Sequence, residues 1–247
     1  MVKKPVQSTG PKVWFVGAGP GDPELITVKG LRLVRDADVL IYAGSLVNPA
    51  LVKESGAAVK LDSWGMHLDE MVDTMVQHAQ AHENVVRLHS GDPSLYGAIV
   101  EQIEKLESQG IETEIVPGVS SLFAAAAALK TQLTLRGVSE SLIVTRPAGK
   151  TLKEDQIGDF SRLNSTMVVF LGTEKLAGIT KKLACPPDTP AAVVYHASWP
   201  DQIVVRGTVA DIAAKAQAAG IEHTALLVIG GVVGDVKKGH VKSYLYS

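Results

Sequence analysis

Short runs of β-branched and aromatic residues alternate along this chain with longer segments whose apolar positions recur every three to four residues. In the first half the runs are "KVWFVG", "DVLIYAG", "AAVKLD", "NVVRLHS" and "IETEIVPG". In the second half they are "SLIVTR", "TMVVFLG", "AAVVYHA", "QIVVRG" and "ALLVIGG". Each reads as a strand. Between the first two, Ile26, Gly30, Leu33, Val34 and Ala37 make one apolar face, which predicts a helix over Pro23–Ala37. Leu68, Met71, Val72, Met75 and Ala79 predict a second over Leu68–Ala79, with its two methionines in the core. The alanine run 124–128 is a strong helix former. Strand–helix alternation of this kind implies mainly parallel sheets covered by helices, an α/β class. A Pro-Gly break at Pro117–Gly118 separates two complete strand sets, so domains are expected at 12–117 and 118–247 with a cleft between them.

Composition narrows the class. Hydrophobic residues make up 46% and charged residues 20%, as in an ordinary globular protein, and the formal net charge is −2. That balance has no basic footprint for nucleic acid or an anionic membrane surface. The longest apolar runs are about half the roughly 20 residues a membrane span needs. The first residues, "MVKKPVQSTGP", lack an apolar signal core and read as a loose tail. Cys185 is the only cysteine, which excludes an internal disulfide and fits a reducing cytoplasm. His78 and His82, four apart on an expected helix, lack a third ligand, so no protein metal site is expected.

The turn "VGAGPGDPEL" holds three glycines, Gly17, Gly19 and Gly21, directly after the first strand. A dinucleotide fingerprint needs G-x-G-x-x-G and an acidic residue at the end of the second strand. Here the spacing is G-x-G-x-G, Asp22 stands where phosphate would lie, and the second strand ends in "YAGSL". The nicotinamide-oxidoreductase reading fails on both counts. Asp22–Pro23 starts a helix, and the bare backbone suits close approach by a flat or bulky ligand. Gly-Asp-Pro recurs at Gly91–Pro93, after the fourth strand, and "VPGVSS" follows the fifth. Ligands of parallel sheets lie beyond the carboxyl ends of the strands, so these three loops form an expected binding edge.

"VGAGPGDPELITVKG", "LHSGDPSLYGA", "VPGVSSLFAAAAAL" and "VVYHASWPD", in this order, resemble the tetrapyrrole (corrin/porphyrin) methyltransferase family. Within it they look most like the members that methylate C-11 of precorrin-4 or cobalt-precorrin-4 in cobalamin biosynthesis. The resemblance runs from about Val13 to the last strand. It implies two α/β domains, the first sheet mostly parallel and the second mixed, with a cleft between them, in a cytoplasmic homodimer. It also implies S-adenosylmethionine as cofactor, S-adenosylhomocysteine as product and a tetrapyrrole as substrate. The family's cofactor contacts carry over to Pro20, Ser90, Gly91, Asp92, Leu95, Ser120 and Ser121. In the second half they carry over to Leu171, Ala197, Ala225 and Leu226. On this reading the glycines leave room for the macrocycle.

Methyl transfer from a sulfonium to an electron-rich carbon expels a neutral thioether, so the leaving group needs no acid. What it requires is positioning, worth roughly 7–11 kcal/mol of barrier, and no indispensable triad is expected. Asp22, His67, Asp92 and Tyr96 are the side chains that can assist. His67 faces either a cleft or solvent, Asp22 and Asp92 are caps, ligand contacts or both, and Tyr96 stacks on the macrocycle or closes the core. Arg87, Arg136, Arg146 and Lys150 are candidates for the substrate's carboxylates, with solvation the alternative for each. Other corrin positions, ribosomal RNA and a modified histidine on a protein are rival substrates on this fold, and a non-catalytic tetrapyrrole carrier is a rival of another class. "GPGDPELITVKG", "GMHLDEM" and "GDPSLYGA" lean toward the cobalt-bearing substrate.

Overall fold

The computed structural model describes residues 10–234 and Val241, so the expected N-terminal tail and the end of the second domain lie largely outside the described residues. The chain divides into two compact units between Ser120 and Ser121.

The first unit runs β1 (Lys12–Gly17), α1 (Val28–Arg35), β2 (Val39–Tyr42), α2 (Pro49–Glu54), β3 (Val59–Asp62), α3 (Leu68–Gln80), β4 (Val85–His89), α4 (Val100–Glu107) and β5 (Glu112–Val116). Its strands form one sheet in the order β3-β2-β4-β1-β5, parallel throughout. Alternate residues feed two cores. Val13, Phe15, Val39, Ile41 and Val85 pack with Met71 and Met75 of α3 and Leu106 of α4. Val16, Leu40, Val86 and Leu88 pack with Val34 of α1 and Leu51 of α2. Both faces are covered, which is why these strands are apolar almost continuously.

The second unit contains α5 (Ser121–Leu129), β6 (Leu142–Thr145), α6 (Ile157–Phe160), β7 (Thr166–Val169), α7 (Leu176–Lys182), β8 (Pro190–Tyr195), β9 (Ile203–Thr208), α8 (Ile212–Ala218) and β10 (Ala225–Ile229). Its sheet, β6-β7-β10-β8-β9, is mixed: β6 and β7 are parallel, and β10 is antiparallel to both neighbours. The alanine-rich α5 packs on one face, against Val168, Ala192, Val194 and Val228. Ile179 of α7 and Ile212 of α8 pack on the other, with Met167, Val193 and Leu227. The expected class is the one found: α/β, parallel in the first sheet and mixed in the second.

Two local expectations are corrected. The helix over Pro23–Ala37 is broken into a 3-10 turn, Pro23–Leu25, and α1. Ile26 and Thr27 are extended between them, because the Thr27 hydroxyl accepts the Gly30 N–H at 3.1 Å and starts a new helix there. His82 is not on α3: it lies past the helix end at φ 61°, and the His78 ring pairs with Glu83 instead.

Candidate functional site

The strand order decides what the three glycine-containing loops do. Because β1 lies between β4 and β5, the loops leaving these three strands emerge side by side at one sheet edge. They are in backbone contact. Ala18 N–H donates to the His89 carbonyl at 2.7 Å, and Gly19 and Gly91 exchange N–H···O bonds at 3.2 and 2.7 Å. Asp92 ties in the third loop: Oδ2 accepts the Gly118 N–H at 2.9 Å, while Oδ1 accepts the Ser94 N–H at 2.8 Å. Asn48 adds the loop after β2, its Nδ2 donating to the Gly21 carbonyl at 2.7 Å.

This geometry corrects the expected role of the glycines. A Cβ on Gly17 would sit 2.5 Å from Gly118 Cα and 2.7 Å from the Gly91 oxygen. The space freed at Gly17 and Gly118 is filled by the protein's own backbone, not left for a macrocycle. Gly19 and Gly91, at φ 81° and 62°, supply left-handed turns.

Pro20, Ser90, Gly91, Asp92, Leu95 and Ser120 therefore belong to one loop cluster in the first unit, with Ser120 buried and the others partly accessible. Asp22 is a cap, accepting the Glu24 N–H at 2.9 Å. His67 is exposed at the N-cap of α3 and makes no capping bond. Tyr96 is outside the core, 42% exposed at φ 57°.

The second unit gathers its set differently. Leu171 follows β7 and Ala197 follows β8, while Ala225 opens β10. Since β10 runs antiparallel to both, its start lies at the edge where they end. Thr173 fastens the corner: Oγ1 donates to the Ala225 carbonyl at 3.0 Å and accepts its N–H at 3.1 Å. His196 N–H reaches the Thr224 carbonyl at 3.3 Å. Four non-glycine residues here are left-handed: Leu171 (53°), His196 (43°), Ser198 (73°) and Thr224 (53°). Such backbone costs of order 1–3 kcal/mol per residue and gathers at ligand clamps. Leu171 is also 65% exposed, whereas Ala197, Ala225 and Leu226 are buried, so the last three can offer a ligand little beyond backbone atoms. Ser121, partly buried, is the first residue of α5.

Sequence reasoning missed two parts of this arrangement. Asn48 caps the helix that Pro49 opens, and its reach to Gly21 has no local signal. His196 stacks on Tyr195 with ring centroids 3.8 Å apart and bonds Asp201 through Nδ1 at 2.9 Å, inside the quoted "YHASWPD".

Burial overturns the solvated alternative for Arg87. It is 6% exposed, and among the described residues Nη1 reaches only the Ile41 and Leu88 carbonyls, at a long 3.4 Å. Burial lowers its pKa to about 10 against the opposing pull of Asp62, which leaves it charged at neutral pH. Next along the same strand face, His89 is held neutral, its pKa pushed down to about 3 by burial and then by the Arg87 charge. Arg146 is engaged within its own loop, donating to the Thr151 hydroxyl at 2.6 Å. Among the described residues no group of three or more His, Cys, Asp or Glu could hold a metal ion, and no helix is long and apolar enough to cross a membrane.

Comparison with known proteins agrees with this arrangement. The family model for tetrapyrrole (corrin/porphyrin) methylases matches residues 12–213. A cobalt-precorrin-4 C(11)-methyltransferase from Methanocaldococcus jannaschii is 48% identical, over 94% of this chain and 92% of its own. A precorrin-4 C(11)-methyltransferase from Pseudomonas aeruginosa is 45% identical, over 95% and 94%. The X-ray structure of a cobalt precorrin-4 methyltransferase, a cobalamin biosynthetic enzyme, superposes with a TM-score of 0.87 at 42% identity, covering 90% of this chain and 96% of that one. With its two sheets, its fused glycine loops and this near-full-length likeness, the chain belongs to the tetrapyrrole (corrin/porphyrin) methylases.

Proposed function

We propose that this chain is an S-adenosylmethionine-dependent methyltransferase that methylates C-11 of cobalt-precorrin-4 or precorrin-4 in cobalamin biosynthesis. The observation that carries the reading is the 48% identity, over nearly the whole chain, to a relative named for that reaction. S-adenosylmethionine, the methyl donor of the family, supplies a methyl group on a cationic sulfonium and becomes a neutral thioether.

The residues present fit such a donor. Left-handed backbone at Leu171, His196, Ser198 and Thr224 gathers main-chain amides and carbonyls at one edge, where the Leu171 side chain is exposed. Amides and carbonyls of that kind suit an uncharged adenine and ribose, and the chain's task is orientation. We assign donor contacts to Pro20, Ser90, Gly91, Asp92, Leu95, Ser120 and Ser121 in the loops of the first sheet and at the start of α5. Leu171, Ala197, Ala225 and Leu226 are the contacts assigned in the second unit. Asp22, His67 and Tyr96 are assigned to the acceptor side, as assisting groups that no step requires. The functional domains are 12–117 and 118–247, in a homodimer acting in the cytoplasm.

The deciding experiment is methyl transfer from labelled S-adenosylmethionine to precorrin-4 and cobalt-precorrin-4 in parallel, with the label located by NMR. Label at C-11 is expected, and the faster acceptor identifies the metal state. Label at another carbon, or none on either acceptor, overturns the assignment.

Asp92→Ala is expected to cut S-adenosylhomocysteine affinity at least about tenfold and stability by about 2 kcal/mol, since the charged acceptor of two N–H groups is lost. Isothermal calorimetry and thermal melts check both. Wild-type affinity would remove Asp92 from the donor site.

A further inference from the structure

The exposed large apolar side chains of the first unit are not scattered. Leu25, Val28, Leu46, Trp64, Tyr96 and Val100 all lie on loops or helix starts beyond the carboxyl ends of β1 to β4, and among the described residues only Ile115 lies elsewhere. Trp64 stands out among them. Its side chain takes no part in either core of this unit, and the residue is 78% exposed.

Its backbone, by contrast, is pinned. Asp62 Oδ1 accepts the Trp64 N–H at 3.0 Å and the Gly44 N–H at 2.9 Å, which anchors the turn to the neighbouring loop. Ser63 N–H and Oγ both donate to the Tyr42 carbonyl, at 2.8 and 3.1 Å. Met66 N–H returns to the Ser63 carbonyl at 3.2 Å, and Gly65 completes the turn at φ 83°. An indole presented on a fixed backbone binds a flat partner with little ordering cost, which is the economy of aromatic anchors in binding sites.

Position selects the partner. In the order β3-β2-β4-β1, the loop of Trp64 is two strand spacings from the Gly-Asp-Pro loop and three from the glycine turn. At the usual strand separation these are about 10 and 14 Å. A group gripped at the glycine loops does not need Trp64. A wide, flat, π-conjugated ring system lying along this edge reaches it.

We propose that Trp64 is a stacking platform for the tetrapyrrole acceptor and a determinant of acceptor affinity, an inference that rests on the methyltransferase reading above. The indole face meets the macrocycle, Tyr96 borders the same edge two strand spacings closer to the glycines, on the Gly-Asp-Pro loop itself, and donor binding is independent of Trp64.

The test compares Trp64→Ala and Trp64→Phe with wild type. The dissociation constants of precorrin-4 and cobalt-precorrin-4 are read by fluorescence quenching and that of S-adenosylhomocysteine by calorimetry, with KM and kcat beside them. Trp64→Ala is expected to weaken acceptor binding and raise KM about tenfold, Trp64→Phe to recover most of that loss, and donor affinity to stay unchanged. Because the side chain is exposed, both variants should melt like wild type. Wild-type acceptor affinity in Trp64→Ala, or a Phe variant as weak as the Ala variant, overturns the stacking role. If binding falls as expected while even the wild type forms no C-11 product, Trp64 stands and the C-11 reading falls. If Trp64→Ala turns over with wild-type KM, the C-11 reading stands and Trp64 falls.

Discussion

Gly17→Ala is expected to destabilise the protein by about 2–3 kcal/mol, lowering Tm by about 5–10 °C, and to remove most methyl transfer. The added Cβ would lie 2.5 Å from Gly118 Cα, 2.6 Å from Gly118 N and 2.7 Å from the Gly91 oxygen. All three are backbone atoms, so no side chain can swing aside. Relief requires parting loops that are held by the Ala18–His89 and Gly19–Gly91 bonds and by Asp92 on Gly118. Since β4, β1 and β5 are locked in register just below, the strain falls on the loops themselves. Gly178→Ala is the matched control. It sits inside α7 with nothing within 4 Å of its added Cβ, and should stabilise by about 0.5–1 kcal/mol. Thermal melts with a methyl-transfer assay on both variants decide. A Gly17→Ala protein that melts with wild type would mean that the three loops are not packed backbone to backbone.

His89 should make the protein sensitive to acid. It is buried against Phe15, ring centroids 6.0 Å apart, and its Nε2 has no hydrogen-bond partner among the described residues. Burial, reinforced by Arg87, holds the folded-state pKa at about 3, whereas an unfolded histidine titrates near 6.5. Above that pH both states are neutral at this site and stability does not depend on it. As pH falls from about 6.5 toward about 3, the unfolded chain takes a proton that the folded one refuses, so stability drops by up to about 1.4 kcal/mol per pH unit. Between pH 6.5 and 4 this amounts to about 3 kcal/mol. His89→Phe keeps an aromatic in the layer and removes the titration. Urea unfolding of both proteins from pH 4 to 7.5 should show the variant's curve flatter by about one proton below pH 6.5. Parallel curves would show that the folded protein accommodates the imidazolium.

The two results concern features of very different visibility in the sequence. His89 reads as one more residue in "NVVRLHS", and nothing local says that its ring and the Arg87 guanidinium are both enclosed. Solvation is the ordinary outcome for an arginine, but the place of Arg87 on a central strand with helices on both faces overrides that. The helix broken at Ile26–Thr27 failed for a related reason. The apolar period runs unbroken through it, yet a single hydroxyl on the Gly30 amide restarts the helix.

The ten strands of the described residues were legible because alternation and β-branching are local, and so were the Asp22 and His67 helix starts and the alanine helix α5. The motifs on the loops were legible too, since each is a short string next to a strand. What they touch was not. The contact between Gly17, Gly91 and Gly118 depends on β1 being inserted between β4 and β5, a non-consecutive pairing that no local pattern encodes. The convergence of Leu171, Ala197 and Ala225 depends on β10 running antiparallel between β7 and β8. By itself the sequence determined which segments become strands, where α3 and α5 form and which loops carry the glycine motifs, because those follow from residue type and period. Only the tertiary structure decided which loops share an edge, whose space a glycine frees and which charge is buried, because these are set by strand order and register between residues far apart in the chain.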